Sequence, residues 1–376
     1  MRGATPDTRS RTRAAGFCNR SLSLAAGFCN RSLSLAASIG IALRWAAVAA
    51  GACLSLAGPA HAQSKVGTTF GAFTLIEPDA RFAALGMAGS AGAEGLAGAW
   101  YNPGAVALDD KHAVEFVHAD WFAGIRYDWI AYSHPFPIGA VYATFTSLNS
   151  GDIAVRTVAQ PLGTGELFSV SDMALSLGFA HKFSLRFAAA AQFNYLQETI
   201  FHSSAGTVTF TAGTLYRTSA NGLRIGASLS NFGTSAAYSG DNLAITYDNV
   251  PTQNGDNGAL PGVRSTDAFA VPVAFRVGLA QPVVIGSGMR LLFAADAVHP
   301  SDNSESMGIG AEATFRNALS LRAGWQGLFL EDSEVGLTAG AGFRGTLDTV
   351  HYHVDYAWAD QGRLDDTQRF SFGITF

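Results

Sequence analysis

From residue 112 onward, apolar and polar positions alternate with a period of two, in runs bounded by turn-forming clusters. Val350, Tyr352, Val354, Tyr356 and Trp358 oppose His351, His353 and Asp355. Phe370, Phe372, Ile374 and Phe376 oppose Arg369, Ser371, Gly373 and Thr375. Phe269, Val271, Val273, Phe275, Val277 and Leu279 oppose Ala270, Pro272, Ala274, Arg276 and Gly278. Neighbouring residues of a strand point to opposite faces, so each run has one apolar face and one small or polar face. The pattern predicts about fourteen strands, an even number of roughly ten residues each, as a tilted strand needs to cross a bilayer. They fall near 112–122, 124–134, 138–148, 172–183, 185–200, 206–217, 222–231, 268–279, 289–298, 305–316, 318–328, 335–344, 349–358 and 367–376.

The connections divide into two kinds. After odd strands they tend to be long, as at 149–171 and 232–267, and after even strands most are short. Long loops on one side and short turns on the other are the asymmetry of outer-membrane barrels. The link at 282–288 is longer than this scheme prefers. A soluble β-sandwich also alternates. Strand length, loop asymmetry and a terminal Phe376 together favour an all-β fold: a transmembrane antiparallel β-barrel in the cell outer membrane, surrounded by its lipid. Strand parity places the mature N- and C-termini on the periplasmic side.

The segment before the strands breaks the pattern. Residues 79–110, DARFAALGMAGSAGAEGLAGAWYNPGAVALDD, are Ala- and Gly-rich, with Gly86, Gly89, Gly92, Gly95 and Gly98 before Asn102-Pro103-Gly104. The stretch is too poor in large side chains for a core of its own and too apolar for a solvated linker. Small residues suit tight packing inside something else. The segment therefore reads as an N-terminal hatch, or plug, within the barrel lumen, spanning 63–111 ahead of a barrel at 112–376.

Residues 44–62 read as a signal peptide, with the apolar run WAAVAAGACLSLAG and a cleavage site after Pro59-Ala60-His61-Ala62. Residues 1–43 carry AAGFCNRSLSL twice in tandem, which reads as a short duplication or a start site placed too early. The three cysteines, Cys18, Cys29 and Cys53, all precede that site, so the expected mature chain has no disulfide and no thiol nucleophile.

Charged residues make up only 14% of the chain, and the net charge is −5. A nucleic-acid partner is disfavoured, because phosphate binding wants a basic face. The charges that exist fall largely in one phase: Arg276, Asp296, Glu312, Arg316, Arg322, Arg344, Asp355 and Arg369. An Arg or Lys facing lipid at the midplane costs about 2–4 kcal/mol. These side chains are therefore expected in the lumen or at its rims, with Arg276, Asp296, Glu312, Arg322, Arg344 and Asp355 as a network pairing with each other and with the hatch. His351 and His353 beside Asp355 read as part of that network rather than as a metal site. No catalytic motif, metal set or cofactor-binding loop stands out, and an enzyme is not expected. Phe372 and the terminal Phe376 resemble the signal read by the barrel-insertion machinery.

Several segments resemble the PorV/PorQ family of outer-membrane proteins, which is related to FadL-type barrels. They are YNPGAVALDD, SVSDMALSLGFAHKFS, GASLSNFG, HPSDNSES and DYAWADQGRLDDTQRFSFGITF, in that order over roughly 70–376. The resemblance implies a fourteen-stranded barrel with a lumenal hatch. Asn102 and Pro103 match the first two residues of the hatch motif Asn-Pro-Ala, and Gly104-Ala105 stands where Ala-Gly is expected. Two functions are implied. One is hatch-gated passage of a hydrophobic small molecule. The other is a type IX secretion-associated barrel that binds an exported protein through its long loops.

Overall fold

The computed structural model describes residues 66–248, 252, 259–330 and 333–376. The expectations for the tandem duplication and the signal peptide lie outside the described residues. Fourteen strands form one antiparallel barrel. They are β1 (Ala113–Asp120), β2 (Arg126–Phe136), β3 (Gly139–Asn149), β4 (Val170–Lys182), β5 (Phe187–Ile200), β6 (Ser203–Arg217) and β7 (Arg224–Gly233). The second half is β8 (Ala274–Ile285), β9 (Met289–Pro300), β10 (Ser306–Phe315), β11 (Leu319–Leu328), β12 (Leu337–Leu347), β13 (Val350–Asp360) and β14 (Asp366–Thr375). Each pairs with its sequence neighbour, and β1 pairs with β14, so the sheet closes without an edge. Among the described residues no helix is long and apolar enough to cross a membrane. In lipid, a closed barrel satisfies its backbone groups between strands.

The alternation read from the sequence is the alternation of the wall. Phe116, Ile130, Phe145, Phe193, Phe210 and Phe372 stand exposed on the outside. Their neighbours along each strand point inward and are buried. The inner wall has two halves. On β3 to β6 it is largely neutral and polar, with Thr144, Thr146, Ser176, Gln192, Asn194, Thr209 and Thr211 buried. From β8 to β14 it carries buried charges: Arg276, Asp296, Glu312, Arg322, Asp355 and Arg369.

The eighth strand is displaced from its expected place, running 274–285 instead of 268–279. The apolar alternation continues through 269–285, so periodicity alone does not mark the start. Residues before 274 bend inward instead, with Phe269 bridged to Ala236 and Val271 buried. Pro282, which reads as a strand breaker, is tolerated because β8 pairs with β7 only as far as Ala280. Beyond that point the strand has a free side, where a missing N–H costs no ladder bond.

Loop asymmetry holds as a tendency: β5 and β6 are joined at the long-loop end by Phe201-His202 alone, and the β6–β7 link at the other end, 218–223, is longer than those after β1, β9 and β13. The long connections carry small hairpins of their own, Ile153–Ala154 with Leu167–Phe168 and Ala244–Tyr247 with Leu260–Val263.

Residues 72–108 lie inside the barrel as short helical turns: Ala72–Leu75, Ala80–Ala83, Gly95–Ala97, Gly98–Tyr101 and Pro103–Leu108. Most of their side chains are buried. Phe70 N–H donates to Ala270 O at 3.0 Å, at the long-loop mouth. Phe376 exchanges backbone bonds with His112 at the other end. The described chain thus starts at one mouth, runs down the lumen and enters β1 at the opposite mouth. The expected mature N-terminus, residue 63, lies outside the described residues. Parity fixes the sides of the strands, but says nothing about a segment threaded through their middle.

Candidate functional site: the hatch and its lumen

The hatch is held first by shape. Gly86 has φ +65°, and a Cβ there would meet the backbone oxygens of Trp325 at 2.5 Å and Ile309 at 2.6 Å. Gly95, at φ +66°, leaves room for the Asp109 carboxylate, whose Oδ2 would lie 2.3 Å from an added Cβ. Gly89 accommodates the Tyr101 ring, Gly92 the Phe82 ring and Gly98 Ala105. All five hatch glycines named from the sequence therefore sit at close approaches.

The wall contributes a second set that the sequence reading missed. A Cβ on Gly226 would lie 1.9 Å from Ser90 O, on Gly308 1.9 Å from Gly86 O, and on Gly310 2.4 Å from Leu85 O. Gly324 and Gly340 meet Gly86 and Ala84 in the same way. These glycines share the inward phase of the charged residues. That phase was the available signal, since a lipid-exposed glycine would have no such reason to alternate with large apolar residues.

Polar contacts fix the hatch next. Asn102 is fully buried. Its Nδ2 donates to Ser90 O at 2.8 Å, within the hatch, and to Thr214 O at 2.7 Å, on β6. Its Oδ1 accepts from Gly104 N at 3.1 Å, capping the turn that Pro103 opens. Every amide hydrogen and the carbonyl of the side chain are used. Replacing it removes the donor to the buried Ser90 carbonyl, at a cost of about 1–3 kcal/mol. Gly104 lies against the wall, with Gly213 O 3.2 Å from an ideal Cβ.

Four ion pairs tie hatch to wall, one of them at the rim, where Lys182 of β4 donates to Asp110 at 2.9 Å. Arg81 forks onto Glu312 through Nε at 2.8 Å and an amino group at 2.7 Å. Glu77 meets Arg369 at 2.8 Å, and Glu94 meets Arg224 at 2.7 Å. Behind Arg81 the chain of charges continues: Glu312 accepts from Arg322 Nε at 2.6 Å, and Arg322 reaches Asp355 at 2.6 Å. Gly342 on β12 leaves space for this last pair, since its Cβ would collide with both side chains.

The six residues expected to form one network thus divide. Glu312, Arg322 and Asp355 are joined. Asp296 accepts from Ser90 N at 2.7 Å instead. Arg276 stacks on the Trp100 ring, 4.4 Å from its centre, and donates to Ser230 Oγ at 2.9 Å. Arg344 forms no ion pair with the described residues. The hatch partners Glu77, Arg81 and Glu94 were not singled out from the sequence. Their signal is that they are among the few charges of an otherwise apolar segment.

Two bulges interrupt the wall where the hatch touches it. Between β6 and β7 the register breaks at Phe210/Ala212, and Asn231, at φ +62°, reaches Thr74 Oγ1 at 2.8 Å. Between β10 and β11 it breaks at Met307/Ile309, beside Gly86. Bulges of this kind re-aim side chains. Above the hatch, on its long-loop side, lies a cavity of about 330 Å³. Ala72, Leu75 and Met87 of the hatch face Ala274, Val298 and Met307 of the wall across it, with Arg276, Asp296 and Asp302 on its margin. Farther out, Phe168, Ile200, Phe201, Leu243 and Phe269 line an open apolar groove of about 610 Å³ between the loop hairpins. Tyr238 borders this groove and touches Phe70 of the incoming hatch segment, 6.3 Å between ring centres.

This is an outer-membrane type of β-barrel: fourteen strands, closed, with its N-terminal segment folded inside. Among solved structures it is similar to the Ralstonia pickettii toluene transporter TbuX, at 12% identity over 80% of this chain and 97% of that one, with a TM-score of 0.51. The Pseudomonas putida toluene transporter TodX (12% identity, 80% and 98% covered, TM-score 0.49) and a Pseudomonas aeruginosa FadL homologue (11%, 80% and 98%, 0.43) are also similar. No family model and no curated protein matches the chain. At these identities the likeness is one of fold.

Proposed function

We propose that the protein passes a hydrophobic small molecule across the outer membrane, by a route that the hatch controls. The observation that carries this reading is the cavity of about 330 Å³ between hatch and wall, with its apolar lining of Leu75, Met87, Val298 and Met307. Ligand sites are mostly apolar hollows of roughly this size with a few polar groups at the margin. The outer groove of Phe168, Phe201 and Phe269 supplies an apolar surface on which such a molecule first settles. The similar barrel TbuX is a toluene transporter, which agrees with this reading although it speaks for that protein.

The test is toluene binding to purified protein in detergent, followed by displacement of a fluorescent apolar probe. Wild type should bind saturably. Met307→Glu places a carboxylate in the cavity, which apolar surroundings oppose, and should weaken binding by about tenfold or more. Binding that is absent, or indifferent to this change, contradicts the reading.

The alternative, a type IX secretion-associated barrel that holds an exported protein, draws support from the motif resemblance and from the loops. Val158 and Leu162 at the tip of 150–169 are fully exposed apolar side chains, a surface suited to a protein partner.

A further inference from the structure

At the short-turn end, beneath the hatch, a second cavity of about 250 Å³ opens between the hatch and strands β1, β12, β13 and β14. Its lining holds five acids, Asp79, Glu94 and Asp109 from the hatch, Glu115 from β1 and Asp355 from β13, against Arg81, Arg344 and His353. Two of these acids are already committed, Glu94 to Arg224 and Asp355 to Arg322. Asp79 is not. One oxygen caps the Ala80–Ala83 turn through Arg81 N at 2.8 Å, and Oδ2 has no hydrogen-bond partner among the described residues although the residue is only 2% exposed. Glu115 Oε1 is likewise buried without a hydrogen-bond partner among the described residues, with His353 Nε2 at 3.9 Å.

We propose that this cavity is a proton-operated latch. Protonated Asp79 seats the start of the hatch against β1, β13 and β14. Loss of that proton sets its charge against Glu115 and Asp355 and loosens the segment. The inference goes beyond the transport reading, since it concerns how the hatch is held whatever passes it.

Charged groups face Asp79 from every side. The hatch itself brings Glu77, Arg81, Glu94 and Asp109. Glu77 is taken by Arg369 of β14, and Arg81 is taken by Glu312 of β10. Strand β1 brings Glu115, and β13 brings Asp355 and His353, the latter 3.9 Å from both acids. Strand β12 brings Arg344, which lines the cavity. An imidazolium at His353 would be the cation nearest Glu115, and its deprotonation acts in the same direction as that of Asp79. Burial first, and then the charges of Glu115 and Asp355, push the Asp79 carboxyl up to about 7. Burial and the neighbouring Glu94 and Glu115 push Asp109, on the same cavity, up to about 7 as well.

The sign follows. A carboxyl whose pKa is raised in the seated state favours that state below the ordinary carboxylate range. The advantage is lost as pH rises through about 7. The cavity opens toward the short-turn mouth, so that side of the membrane sets the proton supply.

Because all three cysteines precede residue 63, a cysteine introduced by Ala97→Cys is unique in the expected mature chain and can carry a nitroxide on the hatch. Electron paramagnetic resonance between pH 5.5 and 8.5 should show the ratio of mobile to seated hatch rising by roughly thirtyfold, since one released proton allows tenfold per pH unit up to about 7 and the response flattens above it. Asp79→Asn keeps a capping side chain but cannot ionise, and should hold the immobile spectrum at both pH values. If that variant fails to assemble, Glu115→Gln removes the stronger of the two opposing charges and should shrink the pH response. A spectrum indifferent to pH, or a full response in the variant, overturns the latch.

Discussion

Replacing Glu312 by alanine should release the hatch while leaving the barrel assembled. Glu312 is 4% exposed and accepts two bonds from Arg81 and one from Arg322. Its loss leaves two guanidinium groups facing each other without the carboxylate between them. Arg322 keeps Asp355, but Arg81 keeps no carboxylate within ion-pair distance among the described residues. Removing one partner of a buried pair costs about 3–5 kcal/mol, because the other charge stays desolvated and uncompensated. The wall has an independent source of stability in its closed ladder of inter-strand hydrogen bonds. The hatch has none, being a string of short turns. The loss should therefore fall on the hatch, and Arg81 should become open to trypsin in the folded barrel. Limited proteolysis reads this directly. Glu312→Ala protein as resistant as wild type would show that the pair does not anchor the segment.

The second large effect is expected from the wall. Gly308→Leu puts a side chain where a Cβ alone would lie 1.9 Å from Gly86 O. The contact is backbone on the hatch side, so no flexible side chain can swing aside. Overpacking of this kind costs about 1–3 kcal/mol when neighbours can adjust, and more when they cannot. Leucine at 308 is compatible with a strand, so the barrel should insert and the hatch should give way. Gly288→Leu, at a turn where nothing lies within 4 Å, serves as the matched control. Planar-bilayer recordings should show openings for the first variant and quiet membranes for the second. Equal quiet in both would mean that the fit between Gly308 and Gly86 does not hold the hatch in place.

The wall was legible in the sequence because two solvents write it. Lipid outside and a packed lumen inside force every strand into the same alternation, as at Phe370, Phe372 and Ile374 against Arg369, Ser371 and Gly373. Where that contrast weakens, the reading slipped: residues 269–273 alternate like a strand but turn into the mouth. The hatch was legible as small and apolar, yet its path was not, since nothing local states which mouth a threaded segment enters first. The charges were legible as lumenal, but their partners were not. Arg81 and Glu312 stand 231 positions apart, and no spacing rule reaches that far. Arg344 shares the phase of the network and pairs with none of its members, because its position near the end of β12 places it on a cavity rather than against a carboxylate. The wall glycines were passed over because a glycine's reason is its neighbour, here the hatch backbone itself.

The most direct measurement is single-channel conductance of a protein lacking residues 84–105. That segment carries Asn102 and all five hatch glycines, and its removal leaves every strand and the turns between them intact. If the segment fills the pore, the intact protein conducts near zero and the shortened one shows large, steady openings. A shortened protein that inserts and conducts no more than the intact one would show that the segment does not close the lumen.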